Sequence, residues 1–284
     1  MSSFNAACVQ IRSGKTLSDN TAAAEDLIRA AARDGARYIQ TPEMSNVLVR
    51  SRGELLERIS EPESDPFLAM ARSLAADLGF FLHIGSIAVL AGNGKVANRA
   101  FLIGPDGKVL ASYDKIHMFD VDLPNGESWR ESATYEPGTQ SVIAELPFAR
   151  VGMAVCYDIR FPAIFRMQAR AGADVLTAPA AFTRQTGEAH WHVLQRARAI
   201  ENGAYVISAA QGGTHEDGRE TYGHSLIVDP WGAVIAELDN DAPGYVLAEI
   251  DTENVAKARG RIPAIANERD FDCRVVESLK EVPA

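Results

Sequence analysis

Two stretches of this chain repeat the same rhythm of short apolar runs and longer amphipathic ones, and that repetition limits the folds open to it. In the first, Phe4–Gln10 reads as a strand and Leu17–Arg33 as a helix with Ala24, Leu27, Ile28 and Ala31 on one face. Asp34-Gly35 closes that helix, and Tyr38-Ile39-Gln40 leads into Thr41-Pro42-Glu43. A helix over Pro66–Leu78, stopped by Gly79, feeds a strand over Phe80–Val89. In the second, a strand over Arg150–Cys156 runs into a helix with Pro162 in its first turn. Ile164, Met167 and Ala171 share a face of that helix, and Gly172 caps it. A strand over Asp174–Ala178, a helix over Glu188–Asn202 with Val193, Ala197 and Ile200 buried, and a strand over Ala204–Ala210 follow. Two strand–helix–strand units predict two sheets with helices outside, an α/β fold packed as a four-layer α-β-β-α sandwich. No linker rich in Gly, Ser or Pro interrupts residues 1–284, so one domain is expected.

Between and after the units the signals are simpler. Ala97–Ile103 and Lys108–Tyr113 flank Gly104-Pro105-Asp106-Gly107, a hairpin turn. Ile116 to Gly138 is mostly polar and has no clear period. Strands resume at Ser141–Leu146, and Ser225–Val228 and Ala233–Leu238 are joined by Asp229-Pro230-Trp231-Gly232.

The formal net charge of -10 argues against a nucleic-acid-binding surface, which needs a basic stripe. An anionic substrate then requires a local group of arginines. Cys8, Cys156 and Cys273 are an odd, scattered set without a CxxC pair, which points to a reducing, cytoplasmic setting. Met1-Ser2-Ser3-Phe4-Asn5 has neither the basic nor the apolar part of a secretory leader, and no apolar run approaches the roughly 18 residues of a membrane span. A protein acting off the membrane is expected.

Three reactive side chains end apolar or β-like runs: Glu43 after Tyr38-Ile39-Gln40-Thr41-Pro42, Lys115 after Val109–Asp114, and Cys156 after Val151–Val155. Ligand sites of layered α/β folds gather at the carboxyl ends of strands. The thiol stands where a strand meets a helix start, a place that favours a thiolate. A carboxylate in a dry pocket is expected to have its pKa raised toward work as a base, and a lysine stabilises an oxyanion. Each residue also has an ordinary reading: a core thiol, a helix-capping glutamate, and a surface lysine paired with Asp114 or Asp120. His190 and His192 fall on different faces of a helix start and no His-Glu-x-x-His occurs, so zinc catalysis is not expected.

Together these segments resemble the nitrilase, or carbon–nitrogen hydrolase, superfamily. The matching pieces are Thr41-Pro42-Glu43, Tyr113-Asp114-Lys115-Ile116-His117, and Ala154-Val155-Cys156-Tyr157-Asp158-Ile159-Arg160-Phe161-Pro162. Thr186-Gly187 with Ala189-His190-Trp191, then Arg196–Asn202, then Tyr222-Gly223-His224-Ser225 running into Asp229-Pro230-Trp231-Gly232, continue the family order. The resemblance implies the four-layer fold, a homodimer or larger homo-oligomer, and no metal or organic cofactor. It implies Glu43 as general base, Lys115 as electrostatic stabiliser and Cys156 as nucleophile, with a second glutamate in support. Glu127, Glu131 and Glu136 lie in the right region, and spacing to Pro137-Gly138 favours Glu131 over Glu127.

The Cys-Tyr-Asp-x-Arg-Phe-Pro elbow looks like the branch of omega-amidases and deaminated-glutathione amidases, and Ala209–His215 followed by Tyr222–Ser225 leans toward the latter. The partner implied is a small amide substrate bearing carboxylates. Arg160 and Arg184 are candidates to hold one, with Thr183 as a hydrogen-bond donor and the backbone N–H of Tyr157 facing the oxyanion; an Arg160–Asp158 ion pair is the competing use of that arginine. The rivals are an N-carbamoyl amino acid or aliphatic amide hydrolase, and a non-catalytic interaction protein on the same fold.

Overall fold

The computed structural model describes residues 3–92, 94–124 and 126–276; Met1 and Ser2, part of the reading on a secretory leader, lie outside them. The first half of the chain lays down strands β1 (Ser3–Gln10), β2 (Tyr38–Gln40), β3 (Phe81–Leu90), β4 (Val96–Ile103) and β5 (Val109–Asp114). A small hairpin follows, β6 (Asp120–Asp122) with β7 (Ser128–Arg130). The second half gives β8 (Val142–Glu145), β9 (Arg150–Met153), β10 (Val175–Thr177) and β11 (Tyr205–Ser208). After them come the hairpin β12 (Gly212–Thr214) and β13 (Glu220–Tyr222), then β14 (Leu226–Val228), β15 (Val234–Glu237) and β16 (Gly244–Asp251). The helices are α1 (Leu17–Arg33), α2 (Arg52–Leu56), α3 (Pro66–Leu78), α4 (Pro162–Arg170), α5 (Arg184–Asn202) and α6 (Glu253–Arg261).

Strand alternation turns this order into layers. In β1, Phe4, Ala6 and Cys8 face one core while Ala7 and Val9 face another. The first core lies between two six-stranded sheets, ordered β16-β1-β2-β3-β4-β5 and β15-β14-β11-β10-β9-β8. The second seals the outer face of the first sheet with Ala24, Ile28 and Ala31 of α1 and Phe67, Ala71 and Leu74 of α3. On the outer face of the second sheet, α4 packs on β9 and β10, and α5 on β11. The chain is thus the expected α-β-β-α sandwich. Local signals set its helix ends: Asp65 accepts from Leu68 N at 2.9 Å and Pro66 opens α3, while Gly79 ends it at φ 73°.

Several expectations fail for a physical reason. In α5, Val193 and Ile200 are exposed, and the buried face is Thr186, Gly187, Trp191, Gln195, Arg198, Ala199 and Asn202. Its buried polar residues find partners there: Gln195 accepts from Ser208 Oγ at 2.8 Å, Arg198 donates to Ile159 O at 2.8 Å and Asn202 donates to Arg198 O at 2.9 Å. The helix also begins earlier than expected, because the Thr183 hydroxyl caps it by accepting from Thr186 N. In α4, Met167 and Ala171 are exposed, and Ile164, Phe165, Gln168 and Ala169 are the buried set. The strand ending on the thiol stops at Met153, and Cys156 opens a single 3-10 turn over Cys156–Arg160. The sequence reading had no strand for β16, which pairs antiparallel along all of β1, and no helix for α6. Among the described residues no helix is long and apolar enough to cross a membrane.

Candidate active site

Glu43 is carried by the loop that leaves β2, and that loop is fixed from both sheets. Gly85 in β3 makes room for it: a Cβ there would lie 2.0 Å from Thr41 O and 2.5 Å from Pro179 Cβ, so only glycine lets the two sheets close on the loop. From the second half of the chain, the Gln211 side chain donates to Glu43 O at 3.0 Å and Met44 O at 3.2 Å. Ala181 N donates to Glu43 Oε2 at 2.9 Å. Met44 is held at φ 55°.

Cys156 is held in the same uncommon way, at φ 48°, with its N–H donated to Pro179 O at 2.9 Å. A left-handed non-glycine residue costs about 1–3 kcal/mol and persists only where its surroundings impose it. Asp158 is part of what imposes it. Fully buried, it accepts from Val155 N at 2.9 Å and Tyr113 Oη at 2.7 Å on one oxygen. Its other oxygen accepts from His117 N at 3.0 Å and His117 Nδ1 at 2.7 Å. His117 in turn stacks on Phe161 with ring centroids 3.6 Å apart. Asp158 therefore ties the residues flanking Lys115 to those flanking Cys156. It is not the partner of Arg160.

Lys115 is 2% exposed and lies between two carboxylates. Its Nζ is 2.9 Å from Glu43 Oε1, and 3.0 and 2.8 Å from the two oxygens of Glu131. Asn98, buried in β4, donates to both, at 2.9 Å to Glu43 and 3.1 Å to Glu131. Glu131 also accepts from Phe119 N at 2.6 Å. The alternatives are engaged elsewhere: Glu127 accepts from Trp129 Nε1 at 3.4 Å and Glu136 pairs with Lys95 at 2.9 Å. The second glutamate at the site is Glu131. Asp114, offered as a surface partner of Lys115, holds Arg99 instead at 2.6 Å.

The electrostatics follow from these contacts. Burial alone would raise the Glu43 carboxyl, but the Lys115 charge and hydrogen bonds from Cys156, Lys115 and Asn98 hold it below its ordinary value of 4.5. The expected upward shift of Glu43 is therefore reversed. Burial would discharge Lys115, yet Glu131 and Glu43 raise it well above 10.5. Burial and the Glu43 charge push the Cys156 thiol well above 9.0, with Lys115 opposing. The resting site holds a neutral thiol donating to a carboxylate, not the thiolate expected from a helix start. Removing one partner of a buried ion pair costs about 3–5 kcal/mol when the other is left uncompensated, and Lys115 has two carboxylates to share that load.

Glu43, Lys115, Glu131 and Cys156 line a cavity of about 270 Å3, and Tyr157, Arg160 and Thr183 line it as well. Arg184 does not. It points away, 2.7 Å from Asp241 and 3.7 Å from Glu220, and its assignment to the substrate is corrected accordingly. The Thr183 hydroxyl is already engaged with Thr186, at 2.8 Å between oxygens. Near the thiol, the N–H groups of Cys156 and Asp158 go to Pro179 O and Val155 O, leaving that of Tyr157 without an acceptor among the described residues. Sequence reading missed Asn98, whose only signal is a lone amide within an apolar strand, and it missed the clamping use of Asp158. Among the described residues no three His, Cys, Asp or Glu side chains are grouped to hold a metal ion.

A neutral thiol bonded to a carboxylate beside a buried ammonium group is the equipment of a cysteine hydrolase. The carbon–nitrogen hydrolase family model matches residues 5–260, and the chain belongs to that family. It is 38% identical over 276 residues to a deaminated glutathione amidase of Synechocystis sp., covering 93% of this chain and 98% of that one. It is 36% identical over 283 residues to an omega-amidase of Danio rerio, covering 99% and 100%. Among solved structures it is similar to the C. elegans NitFhit protein, with TM-score 0.88 and 32% identity over 95% of this chain and 66% of that longer one. It is also similar to an amidase from Nesterenkonia sp. AN1 carrying the acetamide moiety of fluoroacetamide on its active site cysteine, with TM-score 0.78 and 25% identity over 94% of each chain.

Proposed function

We propose that this carbon–nitrogen hydrolase is an amidase for a linear amide of a carboxylate-bearing acid, deaminated glutathione or a related omega-amide, working through an acyl-thioester on Cys156. The observation that carries the substrate class is Arg160. It lies on the cavity wall over the rings of Phe182 at 5.2 Å and Tyr157 at 5.9 Å. Its only hydrogen bond among the described residues is to His190 Nδ1 at 3.3 Å, and no described carboxylate lies within 4.0 Å of it. A partly buried guanidinium without a counter-ion is a ready fork for a substrate carboxylate. The names of the relatives support the same class.

In this reading the Cys156 sulfur attacks the amide carbon while Glu43 takes the thiol proton. The developing oxyanion receives hydrogen bonds from Lys115 Nζ and the Tyr157 N–H. Glu43 then gives its proton to the leaving nitrogen, the C–N bond breaks, and the acyl group remains as a thioester. Water, deprotonated by Glu43, adds to that thioester and releases the acid, and the proton returns to sulfur. Glu131 keeps Lys115 charged and aimed throughout. A cytoplasmic location belongs to the proposal, supported by three unpaired cysteines.

The test is kcat/KM across deaminated glutathione, α-ketoglutaramate, N-carbamoyl amino acids and simple aliphatic amides. The reading predicts the highest value for one of the two keto acids. A higher value for a carbamoyl amino acid or a simple amide would overturn the substrate class.

A further inference from the structure

Two arginines besides Arg160 line the cavity, away from the carboxylates that surround Lys115. The chain has 38 acidic residues against 28 Lys and Arg, so arginines left short of carboxylates are unexpected in it. Yet Arg50 and Arg219 both line the cavity and both converge on the Trp129 ring, with guanidinium carbons 4.8 and 4.5 Å from its centroid. Between them they have one carboxylate among the described residues, Asp217, at 3.5 Å from Arg219. Arg219 Nε is buried with no hydrogen-bond partner among the described residues. Two like charges gathered on one indole repel each other, and a single carboxylate leaves one charge over. The cation–π contact with Trp129 holds both guanidinium groups side by side on the cavity wall, where a carboxylate can meet both.

The two ends of the cavity are chemically distinct. Arg160 stands over the ring of Tyr157, the residue that follows Cys156, which keeps the acyl group. Arg219 and Arg50 stand on Trp129 instead, and Arg50 ends the Met44–Arg50 run that leaves Glu43, the group that protonates the departing nitrogen, along the cavity wall. We propose that Arg50 and Arg219, stacked on Trp129, form a second anion station that holds a carboxylate on the amine leaving group. The preferred substrate then carries a negative charge on each side of the scissile amide, as a keto acid joined to a short peptide does. This rests on the amidase reading and adds to it the side of the substrate that is released.

The experiment uses three substrates with one keto-acid acyl group: an amide that releases ammonia, one that releases a dipeptide with a free carboxylate, and one that releases the same dipeptide as its carboxamide. The wild-type enzyme should favour the free dipeptide acid over its carboxamide by about tenfold or more in kcat/KM, mainly through KM. In Arg50→Gln and in Arg219→Gln that preference should shrink to within about threefold. Arg50 is exposed, so its variant keeps the question open to measurement even if Arg219→Gln fails to fold. If each variant lowers the acid and the carboxamide by the same factor, the arginines only brace the wall and the proposal is overturned. It is equally overturned if the wild type does not distinguish the two dipeptide forms while still releasing ammonia from the first substrate. No turnover of any of the three would overturn the amidase reading and this proposal with it.

Discussion

Two of the three thiols in this chain are buried, and they are opposites. Cys8 lies in the middle of β1, in extended backbone, between the two sheets, and donates to Leu226 O at 3.5 Å. Cys156 lies at the end of a loop, in left-handed backbone, donating to Glu43 beside the Lys115 ammonium. Burial raises the pKa of both. Burial alone therefore does not make a nucleophile. What separates the two is an acceptor for the proton, a cation for the charge that develops on the substrate, and a cavity in front.

The comparison breaks most directly by deletion. Cys156→Ala should lower kcat by about a thousandfold or more, whereas Cys8→Ala should leave kcat within about twofold and cost roughly 1 kcal/mol in stability. Steady-state kinetics and thermal melts on both variants measure this, and comparable losses in kcat would erase the distinction. Next in size is the proton acceptor. Glu43→Gln should lower kcat by about 100-fold or more while the protein stays folded, since Lys115 keeps Glu131 at 2.8 Å.

The pH profile sharpens the contrast between a neutral thiol and a thiolate. Glu43 sits below 4.5 in the folded enzyme, so it is ionised at every pH above that value and lost as base only when pH falls through its lowered pKa. Stability follows the same sign: the Glu43 contribution is full above 4.5 and is lost on acidification through the folded value. The acid limb of kcat/KM should then fall below pH 4.5, with a level profile through neutrality. A rise with unit slope that continues above pH 9.0 would mean that the enzyme waits for the thiol to ionise by itself.

How much of this was legible in the sequence depends on whether buried positions are apolar. The α1 face could be read because Ala24, Ile28 and Ala31 recur at helical spacing, and β1 because its side chains alternate between two apolar cores. The face of α5 could not, because Gln195, Arg198 and Asn202 are inside and hydrogen-bonded while Val193 and Ile200 are outside. The polar stretch from Ile116 hid the β6–β7 hairpin, whose residues are all at least partly exposed and so leave no apolar period. The edge strand β16 was hidden in the same way, being mostly half-buried. At the site, Glu43, Lys115 and Cys156 could be picked out as reactive groups ending apolar runs. Asn98 could not, since nothing in Val96-Ala97-Asn98 says that two glutamates meet its amide. Arg184 misled for the converse reason: sequence places it beside Thr183, while the side chain turns to Asp241.

That last pair gives the smallest expected effect. Arg184 and Asp241 are 42% and 36% exposed, so Arg184→Ala should cost at most about 1 kcal/mol in a chemical melt and leave kcat/KM within about twofold. A large loss of turnover would return Arg184 to the substrate site.

Cys156 is the residue that should carry the acyl group. Rapid quenching of the enzyme with a keto-acid amide, followed by peptide mass spectrometry, should find the acyl mass on the peptide containing Cys156 and absent from those containing Cys8 and Cys273. Turnover with an acyl adduct on either of the other cysteines, or undiminished turnover in Cys156→Ala, would contradict it.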